Sequence, residues 1–252
     1  EEREAERFRS VGIDLRTNVR WDEVGYIILV ILGVFALFYY FSWWFGDSSL
    51  RSPFYILWFV IAIVFSIFQV LCVWVIDLAT FRRKRGYRRP VNDLTVDVFV
   101  TASGEAYDLI ERSLAAACNM RGSHRTWLLD DGHDPRLKEL ADQVGAGYLI
   151  REGRKDAKAG NINAALDRTE GDLVVIFDID HVADPQFLER TLPLFADRGV
   201  GFVQVMLTYE NEKESRIAHA AVQTTLDFYN PISIGSDRLG SATLIGSNAL
   251  IR

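Results

Sequence analysis

A chain of 252 residues, 49% hydrophobic and 12% aromatic, with net charge −6 and a pI of about 5.3, can build one globular domain and an additional apolar element. The charge is unevenly divided: residues 1–90 hold 12 Lys and Arg against 9 Asp and Glu, net +3, which leaves 16 against 25, net −9, for residues 91–252. That acidic excess argues against a nucleic-acid partner, and two cysteines, Cys72 and Cys118, can make neither a disulfide framework nor a zinc cluster.

Residues 1–22 are charged and only loosely periodic, and read as an N-terminal surface segment. From Val24 to Phe45 the chain is almost wholly apolar. At 1.5 Å per residue, roughly 22 residues give about 33 Å, the depth of a bilayer's hydrocarbon core. Phe54 to Val75 repeats the pattern, with Trp and Tyr near the ends, so a transmembrane helical hairpin is expected over residues 23–80. Bulky Phe41-Ser42-Trp43-Trp44-Phe45 stands where a cleaved signal peptide would need small residues.

Arg3, Arg7, Arg9, Arg16 and Arg20 precede the first span, Arg51 alone lies between the two, and Arg82, Arg83, Lys84, Arg85, Arg88 and Arg89 follow the second. The positive-inside rule then puts both ends in the cytoplasm, with 81–91 a basic juxtamembrane linker against anionic lipid head groups. The expected protein is integral to the cell membrane.

Residues 92–252 alternate strand and helix patterns. Strands are expected over Leu94–Thr101, Arg125–Leu129, Gly147–Ile150, from Asp172, over Val200–Leu207 and over Thr243–Ile251; helices over Glu105–Asn119, Pro135–Val144, Lys158–Leu166, Pro185–Phe195 and Glu212–Tyr229. Such alternation means an α/β domain, a Rossmann-like, mostly parallel sheet with helices on both faces. The missing initiator Met before Glu1 and the strand-like end at Ala249-Leu250-Ile251-Arg252 read as a piece cut from a longer chain.

The most informative stretch is Asp172-Leu173-Val174-Val175-Ile176-Phe177-Asp178-Ile179-Asp180-His181. A buried strand runs into two carboxylates one residue apart, at the strand end where open α/β sheets bind ligands. Carboxylates that close repel unless a cation joins them, and hard oxygen ligands favour Mg²⁺ or Mn²⁺. Asp178 and Asp180 are therefore the candidate metal ligands. Asp130 and Asp131 end an earlier strand, and Lys158 with Asn161 and Asn163 opens a helix where phosphate could bind. His124, His133, His181 and His219 have no ligand spacing and read as surface or structural residues.

Leu128-Leu129-Asp130-Asp131-Gly132, Lys158-Ala159-Gly160-Asn161-Ile162-Asn163, Phe177-Asp178-Ile179-Asp180-His181-Val182, Phe202-Val203-Gln204 and Gly246-Ser247-Asn248-Ala249 resemble the ordered motifs of membrane-bound family 2 glycosyltransferases of the cellulose synthase type. The resemblance implies a GT-A fold over residues 92–252, a UDP-sugar donor, Mg²⁺ or Mn²⁺, and a glycan or lipid-linked acceptor. It implies that Thr101 and Glu105 lie by the nucleotide, that Asp130 or Asp131 contacts the uracil, and that Lys158 and Asn161 help hold the nucleotide. Asp178 and Asp180 serve ribose and metal, and Gln204 and Ser247 line the donor and acceptor side.

The sequence departs from the family at Ala102-Ser103-Gly104-Glu105, where Thr-Tyr-Asn-Glu is usual, and at Val205-Met206, where Thr-Pro is usual. The Thr-Glu-Asp motif holding the general base and the Gln-x-x-Arg-Trp acceptor motif are expected beyond Arg252. Two spans are too few to enclose a polymer channel, which leaves open further helices, a second copy or accessory subunits. The rivals are a polyprenyl-phosphate glycosyltransferase, a non-catalytic nucleotide-sensing membrane subunit, and a haloacid-dehalogenase-type phosphatase. The last shares the pattern Asp178-Ile179-Asp180-His181-Val182, but that motif normally opens its domain.

Overall fold

Both long apolar stretches are helical: α1 spans Val19–Gly46 and α2 spans Pro53–Thr80. Val24–Trp43 and Pro53–Thr80 are long and apolar enough to cross a membrane, and nothing in the most apolar window of either is buried within the protein. Side chains such as Leu29, Phe35, Phe38 and Tyr39 point outward, where a soluble core helix would cover them. The computed structural model describes residues 19–46, 53–81 and 93–252, so the expected N-terminal segment before 19 and almost all of the basic linker lie outside the described residues.

The described residues group into two compact units. One takes in those of Glu1–Lys84 with Asn211–Ala242, and the other those of Arg85–Glu210 with Thr243–Arg252.

In the helical unit, Asp77, the one charged residue of α2, accepts a hydrogen bond from the Tyr26 hydroxyl of α1. Pairing is what such a group needs in an apolar setting. The segment expected as a single helix over Glu212–Tyr229 is shorter at its start and longer at its end. Ser215 caps α3 (Arg216–Asp227) by accepting from Ala218 N at 3.0 Å. The chain then passes through a π-helical stretch, Phe228–Ser233, into α4 (Ile234–Arg238). Pro231 sits inside the π stretch and has no N–H to keep the α ladder going. Gly235 of α4 lies against the backbone of α2, where a Cβ would come within 2.1 Å of the Ile76 carbonyl oxygen.

The other unit is a six-stranded sheet. Its strands are β1 (Val96–Ala102), β2 (Arg125–Asp130), β3 (Gly147–Leu149), β4 (Leu173–Asp178), β5 (Phe202–Gln204) and β6 (Ala249–Ile251), in the order β3-β2-β1-β4-β6-β5. The first four are mutually parallel; β6 runs antiparallel to both β4 and β5. Its helices are α5 (Tyr107–Cys118), α6 (Pro135–Val144), α7 (Ala157–Leu166) and α8 (Phe187–Thr191).

Strand parity sorts the faces. Val96, Val98 and Val100 of β1, with Leu173, Val175 and Phe177 of β4, pack with α5, α6 and α8. Phe99, Leu129, Trp127 and Val174 point the other way and pack with Ala165 and Ile162 of α7. The sheet thus carries helices on both faces, as expected. At its N-terminal end, buried Asp97 accepts from Trp127 Nε1 (2.8 Å) and Gly171 N (2.7 Å), which satisfies a carboxylate that water cannot reach.

Three expected elements contract. The helix over Pro185–Phe195 becomes α8 plus a 3-10 turn, Leu192–Ala196, because Pro193 cannot donate to the α ladder. The strands over Val200–Leu207 and Thr243–Ile251 shrink to β5 and β6. Gly246 (φ +93°) and Asn248 (φ +54°) turn the backbone left-handed just before β6, and no ladder continues through that geometry.

Because the neighbour at Gly235 is backbone and cannot swing aside, Gly235→Val is expected to cost about 1–3 kcal/mol. A thermal melt of the detergent-solubilised protein checks it, with Gly25→Ala, which meets nothing within 4 Å, as a neutral control.

Candidate active site

The same parity that builds the sheet selects the residues that meet at its C-terminal edge. Ile176 and Asp178 follow Val174 onto the α7 face of β4; Thr101 follows Phe99 onto that face of β1, and its register partner on β4 is Asp178. Lys158 stands in the first turn of α7, on the same side of the sheet. Its ammonium donates to Asp178 Oδ1 and to the Gly246 carbonyl at 3.1 Å. Three segments far apart in sequence therefore converge on one cation.

Asp180 and His181 complete this cluster. One ligand atom from each of Asp178, Asp180 and His181 lies within 4.8 Å of the other two. The His181 N–H donates to the Asp178 carbonyl (3.0 Å), and the Asp178 N–H donates to His181 Nδ1 (3.4 Å), which leaves Nε2 facing Asp180 Oδ1 at 3.7 Å. The Ser113 hydroxyl of α5 holds the His181 carbonyl at 2.6 Å. Two carboxylates and an imidazole are a fitting donor set for Mn²⁺, and the two carboxylates alone for the harder Mg²⁺. The spacing of the four histidines gave no hint of His181; its adjacency to the paired carboxylates was the available signal.

The paired carboxylates after β2 play separate parts. Asp130 is fully buried and accepts from Gly132 N (2.8 Å), His133 N (2.9 Å), Asp134 N (2.8 Å) and the Tyr148 hydroxyl (2.8 Å). Those contacts use the lone-pair directions of both oxygens, so Asp130 shapes the loop and has little left for a ligand. Burial, reinforced by Asp130, pushes the Tyr148 hydroxyl to hold its proton well above the ordinary range. Asp131 takes the opposite face and is gripped bidentately by Arg151, Nε to Oδ1 at 2.7 Å and Nη2 to Oδ2 at 2.9 Å. The guanidinium's hydrogen bonds hold the Asp131 carboxyl below the usual carboxylate range. Each Asp131 oxygen keeps a further acceptor direction.

Arg151 also donates to the carbonyls of Lys155 (2.6 Å) and Ala157 (2.9 Å), in the turn that delivers Lys158. Sequence reading missed it, because a charged residue just after a short strand pattern reads as solvated. Gly160 is explained by the same packing. A Cβ there would lie 2.1 Å from the Lys155 carbonyl and 2.4 Å from Arg151 Nη1.

The other expected site residues are placed as follows. Asn161 is buried, with Nδ2 donating to the Leu129 carbonyl at 3.1 Å, so it ties α7 to β2. Gln204 uses Nε2 on the carbonyls of Ser247 (2.9 Å) and Asn248 (3.2 Å) and Oε1 on Ile245 N (3.0 Å), fastening the turn whose Gly246 carbonyl meets Lys158. Ser247 is buried in that turn, and Asn248 Nδ2 braces it against the Val205 carbonyl at 3.1 Å. Glu105 folds back to accept from Ser103 N at 2.6 Å and is exposed. A cavity of about 500 Å³ lined by His124, Arg125, Thr126 and Gly147 lies at the N-terminal end of β2, away from all of this chemistry.

The family model for Glycosyl transferase family 2 matches residues 97–252. A cellulose synthase catalytic subunit (UDP-forming) of Pseudomonas fluorescens is 32% identical over 166 residues, which is 63% of this chain and 22% of that protein. A putative cellulose synthase 2 of Komagataeibacter xylinus is 30% identical over 196 residues, 73% of this chain and 13% of its own length. The chain thus spans less than a quarter of either relative. Among solved structures, a mannosyltransferase of Pyrobaculum calidifontis in complex with GDP-Man and Mn²⁺ superposes with a TM-score of 0.55 at 20% identity, covering 76% of this chain and 54% of that one, which establishes the GT-A-like fold.

The Asp131–Arg151 pair makes stability depend on pH. A carboxyl whose folded pKa is depressed contributes fully above its ordinary value of 3.8, and the contribution is lost as pH falls through the lower folded value. In acid titrations followed by circular dichroism, wild-type protein is therefore expected to lose stability more steeply below about pH 4 than Asp131→Asn, which lacks the linkage.

Proposed function

From the premise that this chain belongs to glycosyl transferase family 2 and is related to cellulose synthases, we propose that it transfers a sugar from a nucleotide diphosphate donor, a UDP-sugar, onto a growing polysaccharide by an inverting mechanism, with a polyprenyl-phosphate or other lipid-linked acceptor as the alternative. The observation that carries the reading is the convergence of Lys158, Asp178 and the Gly246 carbonyl beside Asp180 and His181.

In this reading Asp178, Asp180 and His181 would hold Mn²⁺, or the two carboxylates Mg²⁺, and the ion when bound would supply Lewis-acid stabilisation of the departing diphosphate. Lys158 has three N–H donors and spends two inside the protein, so one is available to a phosphate oxygen. The first turn of α7 has no side-chain cap, and the positive end of its helix dipole favours the same negative charge. Asp131 offers acceptor oxygens to a base or ribose, while Asp130, Asn161 and Gln204 hold the surrounding loops. Thr101, Glu105 and Ser247 border the donor. An acceptor hydroxyl attacks the anomeric carbon from the face opposite the diphosphate, the bond to the diphosphate breaks, and a general base takes the hydroxyl proton.

The two apolar helices are proposed to anchor the protein in the cell membrane, with residues 1–22 and 81–91 on the cytoplasmic side, where residues 92–252 meet nucleotide sugar. The arginine clusters flanking the spans support that orientation. The cellulose synthase relatives support a polysaccharide product over a lipid-linked one.

Membranes bearing the full-length protein, incubated with a panel of UDP-sugars and GDP-mannose, are expected to release UDP in a Mn²⁺-dependent manner and to form a product long enough to resolve by size; a single added sugar on a lipid selects the alternative. Asp180→Asn is expected to abolish Mn²⁺-dependent UDP binding in calorimetry, and unchanged affinity would remove Asp180 from the metal site.

A further inference from the structure

Arg151 has no ligand-facing part in the donor-site reading, yet it touches both ends of the site. Its guanidinium is almost completely buried, and four of its five N–H groups are directed: two to Asp131, one to the Lys155 carbonyl and one to the Ala157 carbonyl. Between those two carbonyls the backbone is strained. Asp156 (φ +62°) and Ala157 (φ +43°) both adopt left-handed geometry without being glycine, a conformation that persists only where surroundings enforce it. Lys158 follows immediately. Gly160 gives the guanidinium its room, since any Cβ there would overlap Nη1.

We propose that Arg151 is a positioning residue that couples the base-side carboxylate Asp131 to the phosphate-side ammonium of Lys158, holding the 155–157 turn in the one conformation that presents Lys158 to Asp178 and the Gly246 carbonyl. The inference rests on the donor-site reading above and adds to it a residue that touches no substrate. Only a planar fork can serve a carboxylate and two carbonyls at once. A lysine at 151 would keep the charge beside Asp131 and release the turn.

The test is a double-variant cycle on the full-length protein in lipid nanodiscs, reading calorimetric affinity for UDP in the presence of Mn²⁺. Arg151→Lys is expected to weaken binding about tenfold when Lys158 is present and by less than about twofold in a Lys158→Ala background, because its effect passes through Lys158. An equal loss in both backgrounds, or no loss in either, overturns the proposal. Should Arg151→Lys melt below the assay temperature, the cycle is repeated with Ala157→Gly in all four proteins, since glycine removes the left-handed strain. Wild-type protein that binds neither UDP nor GDP with Mn²⁺ overturns both this inference and the donor-site reading. Wild-type binding with additive losses overturns the role of Arg151 alone.

Discussion

The site depends on an ammonium group held between a strand-end carboxylate and a backbone carbonyl. Lys158 reaches Asp178 because β4 places that side chain on the α7 face, two residues beyond Ile176, and it reaches the Gly246 carbonyl because Gln204 and Asn248 fasten the turn before β6. A one-residue slip in β4 would bury Asp178 with the Val175 and Phe177 set and leave Lys158 with no carboxylate. The hydrophobic alternation that stabilises the sheet is therefore also what aims the chemistry.

Around that contact several buried or half-buried polar groups serve geometry. Asp130 closes a loop, Asn161 pins a helix to the end of β2, Gln204 pins a turn, and Arg151 binds two segments together. Each satisfies backbone groups that would otherwise be orphaned near the sheet's C-terminal edge, where regular pairing stops. Lys158, Asp178, Asp180 and His181 are less buried, and in the proposed function it is they that face a ligand. This division, buried braces behind partly exposed donors, is how a loop-built site keeps its shape without a rigid element beneath every residue.

Much of this was legible in the sequence, for definable reasons. The order of strands and helices followed from period and punctuation, and the strand-end position of Asp178 and Asp180 followed from an apolar run meeting charge. What the sequence concealed depends on contacts between distant segments. Asp130 and Asp131 look equivalent as neighbours, yet parity sends one toward Tyr148 and its own loop and the other toward Arg151. The early end of β5 and late start of β6 come from the left-handed Gly246 and Asn248, and the break in the 212–229 helix from a Pro231 just past its expected end. Arg151 was invisible because its value lies in carbonyls four and six residues downstream, in a turn whose strain no propensity scale records.

In the proposed function these carboxylates, the imidazole and Lys158 gather a nucleotide's diphosphate around one divalent cation. Pulsed electron paramagnetic resonance of Mn²⁺ bound to the full-length protein with UDP addresses it directly. The expected result is a ³¹P hyperfine coupling from the diphosphate together with a ¹⁴N coupling that disappears in His181→Ala. Manganese bound without any phosphorus coupling would contradict it.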